Sequence, residues 1–353
     1  MNHTEECYGF LKKKLPTPQE VMLKYPLNKE YSKRKILRDK EIRDIFEGKS
    51  DKFILVIGPC SADRENVVLD YAKRLAKLQE EVKDTILIIP RIYTSKPRTI
   101  GDGYKGLLHQ PFLDREEDIV EGLLAVRRLH KKVIEETGLF GADEMLYPEV
   151  IRYVSDLLSY VVVGARSVEN QQHRLTASGL NVPVGMKNPV SGDISVMLNS
   201  IVTAQHPHHF IYNGWEVISH GNVCTHAVLR GFLDVNGKAN TNYHYDDLIR
   251  IYDLYQQRNL ENIAFIIDCN HSNSNKDFLE QINVAKDVLL SMKRDSRLLS
   301  SVKGLMIESY IEDGCQPVGG NVYGQSITDP CLGWEKTETL VLELFNELKQ
   351  FTK

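Results

Sequence analysis

Six basic residues, Arg91, Lys96, Arg98, Arg166, Lys187 and Arg230, stand at or just beyond the ends of short apolar runs in this chain. Cations gathered at one place repel one another unless an anion is expected there. Arginine suits bidentate contacts with phosphate or carboxylate, and lysine supplies a point charge. Six are more than one monophosphate needs, so the set points to two anionic substrates or to one with several anionic groups. A second set, Cys60, His271, Glu308 and Asp329, offers a thiolate, an imidazole and two carboxylates. Together those donors suit one divalent cation, and their mixed N/S/O character leaves Mn, Fe, Co, Zn or Cu open. Taken singly each has an ordinary alternative: Cys60 as a small buried apolar group, His271 as a loop histidine, Glu308 as a rim carboxylate paired with lysine.

Both sets need a scaffold that brings distant residues to one face. Beyond residue 52, short apolar runs alternate with long amphipathic stretches. The runs at 53–57, 86–89, 145–146, 160–163, 182–186, 225–229, 263–267 and 304–307 read as strands. Helical spacing of apolar residues is read over 67–82, 119–133, 149–158, 168–179, 192–204, 245–258, 276–292 and 335–350. Eight strand–helix units predict an α/β chain folded as a (β/α)8 TIM barrel, with an open doubly wound sheet as the alternative. In a barrel the active site lies at the C-terminal ends of the strands, where all six cations fall, and where Glu144 joins them beside the third strand. Residues 1–50 read as an N-terminal extension, with Pro16, Pro18 and Pro26 breaking any long helix and one short helix at 35–47. Residues 51–353 read as the catalytic barrel, with a small insertion between the fifth and sixth strands.

Composition narrows the rest. The chain has 353 residues, 44 Lys+Arg against 48 Asp+Glu, and a net charge of −4. A content of 42% hydrophobic and 26% charged residues is that of an ordinary globular protein. There is no strongly basic domain of the kind nucleic-acid binders show. Apolar runs fall far short of the ~18 residues of a spanning helix, and the N-terminus lacks the apolar core of a secretory signal. The six cysteines are scattered without a CxxC pair, which predicts reduced thiols and a cytoplasmic protein. Two motifs read as less than they resemble. Gly101-Asp102-Gly103-Tyr104-Lys105-Gly106 matches GxGxxG, but no strand leads directly into it and Pro111 follows, so it reads as a loop closely approaching the site. His206-Pro207-His208-His209 reads as a loop rather than a metal cluster.

The motifs IGPCSADR at 57–64, RIYTSKPRT at 91–99, GYKGL at 103–107, VGARSVENQQHR at 163–174, ASGLNVPVGMKN at 177–188, HAVLRG at 226–231, IDCNHSNSNK at 267–276, MIES at 306–309 and YGQSITDPCLGWE at 323–335 resemble the type I 3-deoxy-7-phosphoheptulonate (DAHP) synthases of the microbial and fungal aromatic pathway. The resemblance spans nearly the whole chain. It implies condensation of phosphoenolpyruvate with erythrose 4-phosphate, the first step of the shikimate pathway, in a metal-dependent homodimer or homotetramer. By the same resemblance Cys60, His271, Glu308 and Asp329 hold the metal. Arg91, Lys96, Glu144, Arg166, Lys187 and Arg230, with the backbone N–H of Ala165, form the phosphoenolpyruvate pocket. Arg98 and Thr99 anchor erythrose 4-phosphate, and their KPRT motif is absent from the sister family that uses arabinose 5-phosphate. Lys96, Cys60 and His271 are the expected catalytic residues, with Lys96 as general acid because a lysine among cations has a lowered pKa. Departures from the family pattern are Asn188-Pro189 where Asn-Gly is common, and Tyr147 and Ile151 where feedback-regulated members carry an acidic residue and a proline. Residues 205–224 are also shorter than the segment that completes the regulatory pocket, so weak feedback by aromatic amino acids is expected. A related synthase for a modified aldose phosphate, or a non-catalytic paralogue, are the alternatives.

Overall fold

The computed structural model describes residues 13–98, 101 and 103–351. Eight strands carry the architecture: β1 (Phe53–Gly58), β2 (Ile86–Pro90), β3 (Ala142–Glu144), β4 (Tyr160–Val163), β5 (Val184–Lys187), β6 (His226–Leu229), β7 (Phe265–Asp268) and β8 (Val302–Glu308). Each pairs in parallel with its neighbour in chain order, and β1 pairs with β8 from Ile54↔Gly304 to Gly58↔Glu308. The ring closes between β2 and β3 through the Arg91↔Ala142 bridge, where the Ile92 N–H donates to the Ala142 carbonyl at 2.9 Å. This is the (β/α)8 barrel that the alternation of apolar runs predicts.

Side-chain alternation along β1 divides the core in two. Ile54 and Val56 point into the barrel with Leu87, Ile89, Tyr160, Val162, Val228, Ile266 and Met306. Phe53, Leu55 and Ile57 point outward to the helices. The main outer helices are α3 (Glu65–Val82), α4 (Ile119–Thr137), α6 (Gln171–Ser178), α7 (Ile194–Gln205), α8 (Tyr245–Gln257), α9 (Glu280–Arg294) and α11 (Trp334–Leu348). Their apolar stripes face the sheet; α3, for example, buries Val67, Tyr71, Leu75, Leu78 and Val82. Asp118 starts α4 by accepting the backbone N–H groups of Val120 and Glu121 at 3.0 and 3.1 Å.

The N-terminal segment holds α1 (Pro18–Lys24) and α2 (Lys29–Phe46). Proline at the first helical position, with a Thr17–Glu20 capping box, starts α1 rather than preventing it. α2 runs longer than expected because Asn28 caps it through the Glu30 N–H. Its last turn places Ile42, Ile45 and Phe46 inside the barrel's interior core, each at most 1% exposed. Phe46 stacks on His226 with ring centroids 4.2 Å apart. The extension therefore plugs the floor of the barrel.

Three local expectations shift. The third strand lies at Ala142–Glu144, ahead of the expected Met145–Leu146. After it come only a 3-10 turn at Pro148–Val150 and a single helical turn, α5 (Ile151–Val154). A short α10 (Ser296–Ser301) follows α9. The insertion between β5 and β6 folds as a hairpin of His209–Tyr212 and Trp215–Ile218, and a second small hairpin, Phe232–Leu233 with Ala239–Asn240, follows β6. Among the described residues no helix is long and apolar enough to cross a membrane.

Candidate active site

The C-terminal strand ends surround a cavity of about 500 Å³. Arg91, Lys96, Arg98, Glu144, Ala165, Arg166, Lys187, Arg230, His271 and Asp329 all line it, so the structure brings the six cations to one place. Thr99 lies outside the described residues. Lys276 adds a further cation to the wall, and sequence reasoning missed it because it falls inside a loop rather than at a strand end.

Arg91, 2% exposed, is held from all sides. Its Nε donates to the Pro59 carbonyl at 3.1 Å, and its Nη2 donates to the Cys60 carbonyl at 3.2 Å and to Glu308 Oε1 at 2.8 Å. Its guanidinium lies 3.7 Å from the Tyr93 ring centroid. Glu308, fully buried at the end of β8, also accepts from Asn270 Nδ2 at 2.6 Å. Buried Gln281 fixes the backbone there, donating to the Glu308 carbonyl and accepting the Glu308 N–H.

Room for Glu144 comes from Gly164. A Cβ at that position would lie 2.1 Å from Glu144 Oε1, so the glycine that follows β4 leaves the space in which the carboxylate sits. Burial pushes the Glu144 carboxyl above its ordinary pKa. The segment bearing Lys96 is held by Asp143, which accepts the Thr94 backbone N–H at 2.9 Å and the Thr94 hydroxyl at 2.5 Å. Over it folds the GxGxxG segment. The Lys96 N–H donates to the Lys105 carbonyl, Arg98 Nε donates to the Tyr104 carbonyl at 2.8 Å, and Gly106, at φ +96°, packs where a Cβ would be 2.4 Å from the Thr94 carbonyl. A turn, not a helix, follows, so the motif is a close-approach loop as read.

Ligand atoms of Cys60, Glu308 and Asp329 lie within 4.8 Å of one another. His271 stands beside them with Nε2 3.8 Å from Glu308 Oε1, outside that tight group. The Lys96 ammonium lies 2.5 Å from Cys60 Sγ and 3.1 Å from Asp329 Oδ2, and Lys276 pairs with Asp329 Oδ1 at 3.0 Å. Burial, with Glu308 nearby, pushes the Cys60 thiol up to about 12. Burial alone would raise Asp329, but Lys96, His271 and Lys276 hold it well below the usual carboxylate range. One expectation is overturned here. Burial acts to lower the Lys96 pKa, yet Cys60, Asp329 and Glu308 raise it above its ordinary value. The nearest charged group to its ammonium is the Asp329 carboxylate, not another cation.

The histidines at 206–209 do different work. His206 and His208 donate to the Val202 and Thr203 carbonyls at the end of α7, each at 2.7 Å, and His209 pairs with Glu216.

Residues 25–342 match the model of the DAHP synthetase I family. The chain belongs to that family. Among its relatives, the phospho-2-dehydro-3-deoxyheptonate aldolase, Tyr-sensitive, of Escherichia coli is 36% identical over 343 residues, 95% of this chain and 93% of that protein. The tyrosine-inhibited enzyme of Candida albicans is 37% identical over 312 residues, 85% of this chain and 82% of its own. The solved structure of the Francisella tularensis phospho-2-dehydro-3-deoxyheptonate aldolase superposes with a TM-score of 0.89 at 31% identity, covering 96% of this chain and 98% of that one. As a member of the DAHP synthetase I family, this chain is an enzyme of the aldol-type condensation that opens the shikimate pathway. The cavity suits that reaction, because phosphoenolpyruvate and erythrose 4-phosphate together carry two phosphates and a carboxylate to set against the clustered cations.

Proposed function

We propose that Arg91, Lys96, Glu144, Arg166, Lys187, Arg230 and the Ala165 N–H bind phosphoenolpyruvate, and that Arg98 and Thr99 bind the phosphate of erythrose 4-phosphate. The observation that carries this is Arg230: the residue is 9% exposed, and its Nη1 is buried with no hydrogen-bond partner among the described residues. A buried donor left unmade costs free energy, which an anion in the cavity would recover. Burial already lowers the Arg230 pKa, so the site favours a ligand that restores charge balance.

The cations neutralise the phosphate and carboxylate of phosphoenolpyruvate and fix its orientation. C3 attacks the aldehyde carbon, a water adds to the cationic C2, and the resulting hemiketal expels inorganic phosphate. The sum is phosphoenolpyruvate, erythrose 4-phosphate and water giving 3-deoxy-D-arabino-heptulosonate 7-phosphate and phosphate. Lys96 is the proposed donor to the new hydroxyl, and Lys96→Met with near-normal kcat would reassign that role.

Cys60, His271, Glu308 and Asp329 are the proposed ligands of one divalent metal ion, Mn, Fe, Co or Zn. The donor set fits: a thiol and two carboxylates are already drawn together, and the Lys96 ammonium, a cation, rests against two of them. When bound, the ion supplies Lewis-acid polarisation of the aldehyde oxygen. The thiols of Cys60, Cys224, Cys269, Cys315 and Cys331 are free, in keeping with a cytoplasmic enzyme. A homodimer or homotetramer is part of the same reading, with Leu23, Ile36 and Leu37 of the extension, 69–80% exposed, as candidate contacts.

Erythrose 4-phosphate-dependent consumption of phosphoenolpyruvate, abolished by chelator and by His271→Ala and restored by added Mn, tests the reading. Full activity in chelator, or no consumption with erythrose 4-phosphate, would overturn it.

A further inference from the structure

Lys187 and His271 lie on different strand ends and belong to different halves of the proposed site, yet both meet one oxygen atom. Asp268 Oδ2 accepts from Lys187 Nζ at 2.8 Å and lies 2.9 Å from His271 Nδ1. The histidine contact is one of proximity, without the alignment of a hydrogen bond. Asp268 itself is fully buried at the end of β7, and neither the cation pattern nor the metal-ligand pattern draws attention to it.

We infer that Asp268 is a positioning residue that ties the two halves together: its single oxygen Oδ2 sets both the Lys187 ammonium against phosphoenolpyruvate and the His271 ring against the metal ligands. The inference rests on the reading of the site proposed above.

Three observations support it. First, the carboxylate is itself fixed, since Oδ1 accepts the Asn270 backbone N–H at 3.1 Å. Second, the chain accepts an unfavourable backbone to make the contact. His271 adopts φ +59°, a left-handed conformation that non-glycine residues rarely hold, and this brings the imidazole back to a residue three positions earlier. The Asn273 side chain stitches the loop by donating to the Asp268 and Leu229 carbonyls at 2.9 and 3.1 Å. Third, with Nδ1 turned to Asp268, Nε2 is the nitrogen left to face Glu308, 3.8 Å away. A carboxylate behind a ligating histidine fixes the orientation of the ring.

Four proteins test this: the parent, Asp268→Asn, Lys187→Met and the double variant. Mn²⁺ binding is measured by equilibrium dialysis without substrates, and phosphoenolpyruvate binding by titration calorimetry on chelator-treated protein. Asp268→Asn is expected to weaken Mn²⁺ binding by ~10–100-fold. It is also expected to weaken phosphoenolpyruvate binding by about tenfold, through the loss of a charge-assisted contact. In the Lys187→Met background the phosphoenolpyruvate penalty disappears to within about twofold, while the Mn²⁺ penalty persists. A general loosening of the barrel would leave both penalties in place. Parent-like binding of both ligands by Asp268→Asn overturns the inference, and so does a phosphoenolpyruvate penalty unchanged without Lys187. If the parent binds phosphoenolpyruvate but no Mn²⁺, the metal reading itself fails and takes the His271 half with it. Should Asp268→Asn not fold, Asp268→Glu keeps the charge and displaces the oxygen by one methylene. It is expected to lose affinity for both ligands, and parent-like affinities would be refuting.

Discussion

Removing the Arg91 guanidinium should cost more stability than any other single truncation in the cavity. Arg91→Ala strands Glu308, fully buried, with one neutral donor from Asn270. It also leaves the Pro59 and Cys60 carbonyls without the donors that reach them at 3.1 and 3.2 Å. Breaking a buried ion pair from one side costs about 3–5 kcal/mol, because the surviving charge stays out of water. Against a typical total of roughly 5–15 kcal/mol, that is a large share. With an unfolding entropy of roughly 2.1 cal/mol/K per residue over 353 residues, the melting temperature should fall by about 4–7 °C. Arg91→Lys keeps a cation near Glu308 but loses the fork that serves two carbonyls, so a loss of about 1–3 kcal/mol is expected. The double variant Arg91→Met/Glu308→Gln should lose less than the sum of its single variants, since neither charge is left alone. Calorimetric unfolding in chelator, without substrates, measures all of these. An Arg91→Ala loss under ~1 kcal/mol, or equal losses for the Lys and Ala variants, refutes the reasoning.

Other outcomes follow from single observations. Gly164→Ala puts a Cβ 2.1 Å from Glu144 Oε1, so it should displace the carboxylate and raise KM for phosphoenolpyruvate roughly tenfold; steady-state kinetics decide, and an unchanged KM counts against the placement of Glu144. Burial pushes the His226 pKa down to about 3. Its contribution to stability is therefore complete above an unfolded-state value near 6.5 and is lost as pH falls toward 3, by up to ~5 kcal/mol. His226→Gln should show a flatter decline in melting temperature between pH 6.5 and 4 than the parent, and an equally steep one would contradict this. The family resemblance implies an acidic residue at position 147 in feedback-regulated members; here Tyr147 stands there, and its hydroxyl is engaged by His109 Nε2 at 2.9 Å. Phe, Tyr and Trp should accordingly inhibit weakly, and a micromolar inhibition constant for any of them would be decisive against that.

The barrel is legible because seven of its eight strands are apolar on both faces, as in Phe53–Gly58, and helical spacing separates them. The third strand escapes that signal. Ala142–Glu144 carries two carboxylates, one holding Thr94 from within the core and one entering the cavity, so its burial is polar and leaves no apolar run. The strand-end cations and the metal-ligand set are legible because residue type and position coincide there. Asp268 and Asn270 are not, because their work is to hold other side chains, and a carboxylate or amide beside a ligand looks like any loop residue. Lys96 shows the limit of charge counting. The sequence places it among cations, whereas in three dimensions Cys60 and Asp329 come nearest.

The helix that plugs the barrel floor has a consequence for how the molecule is made. α2 leaves the ribosome before any strand of the sheet exists, and His226, on which Phe46 stacks, follows about half the chain later. Until β6 to β8 arrive, Ile42, Ile45 and Phe46 have no interior to enter. A helix made early in synthesis is thus among the last to find its place, a long-range closure of the kind that slows folding. During synthesis it is an exposed apolar ridge for chaperones to cover, and a protein cut back to the start of β1 would be a tube with no base.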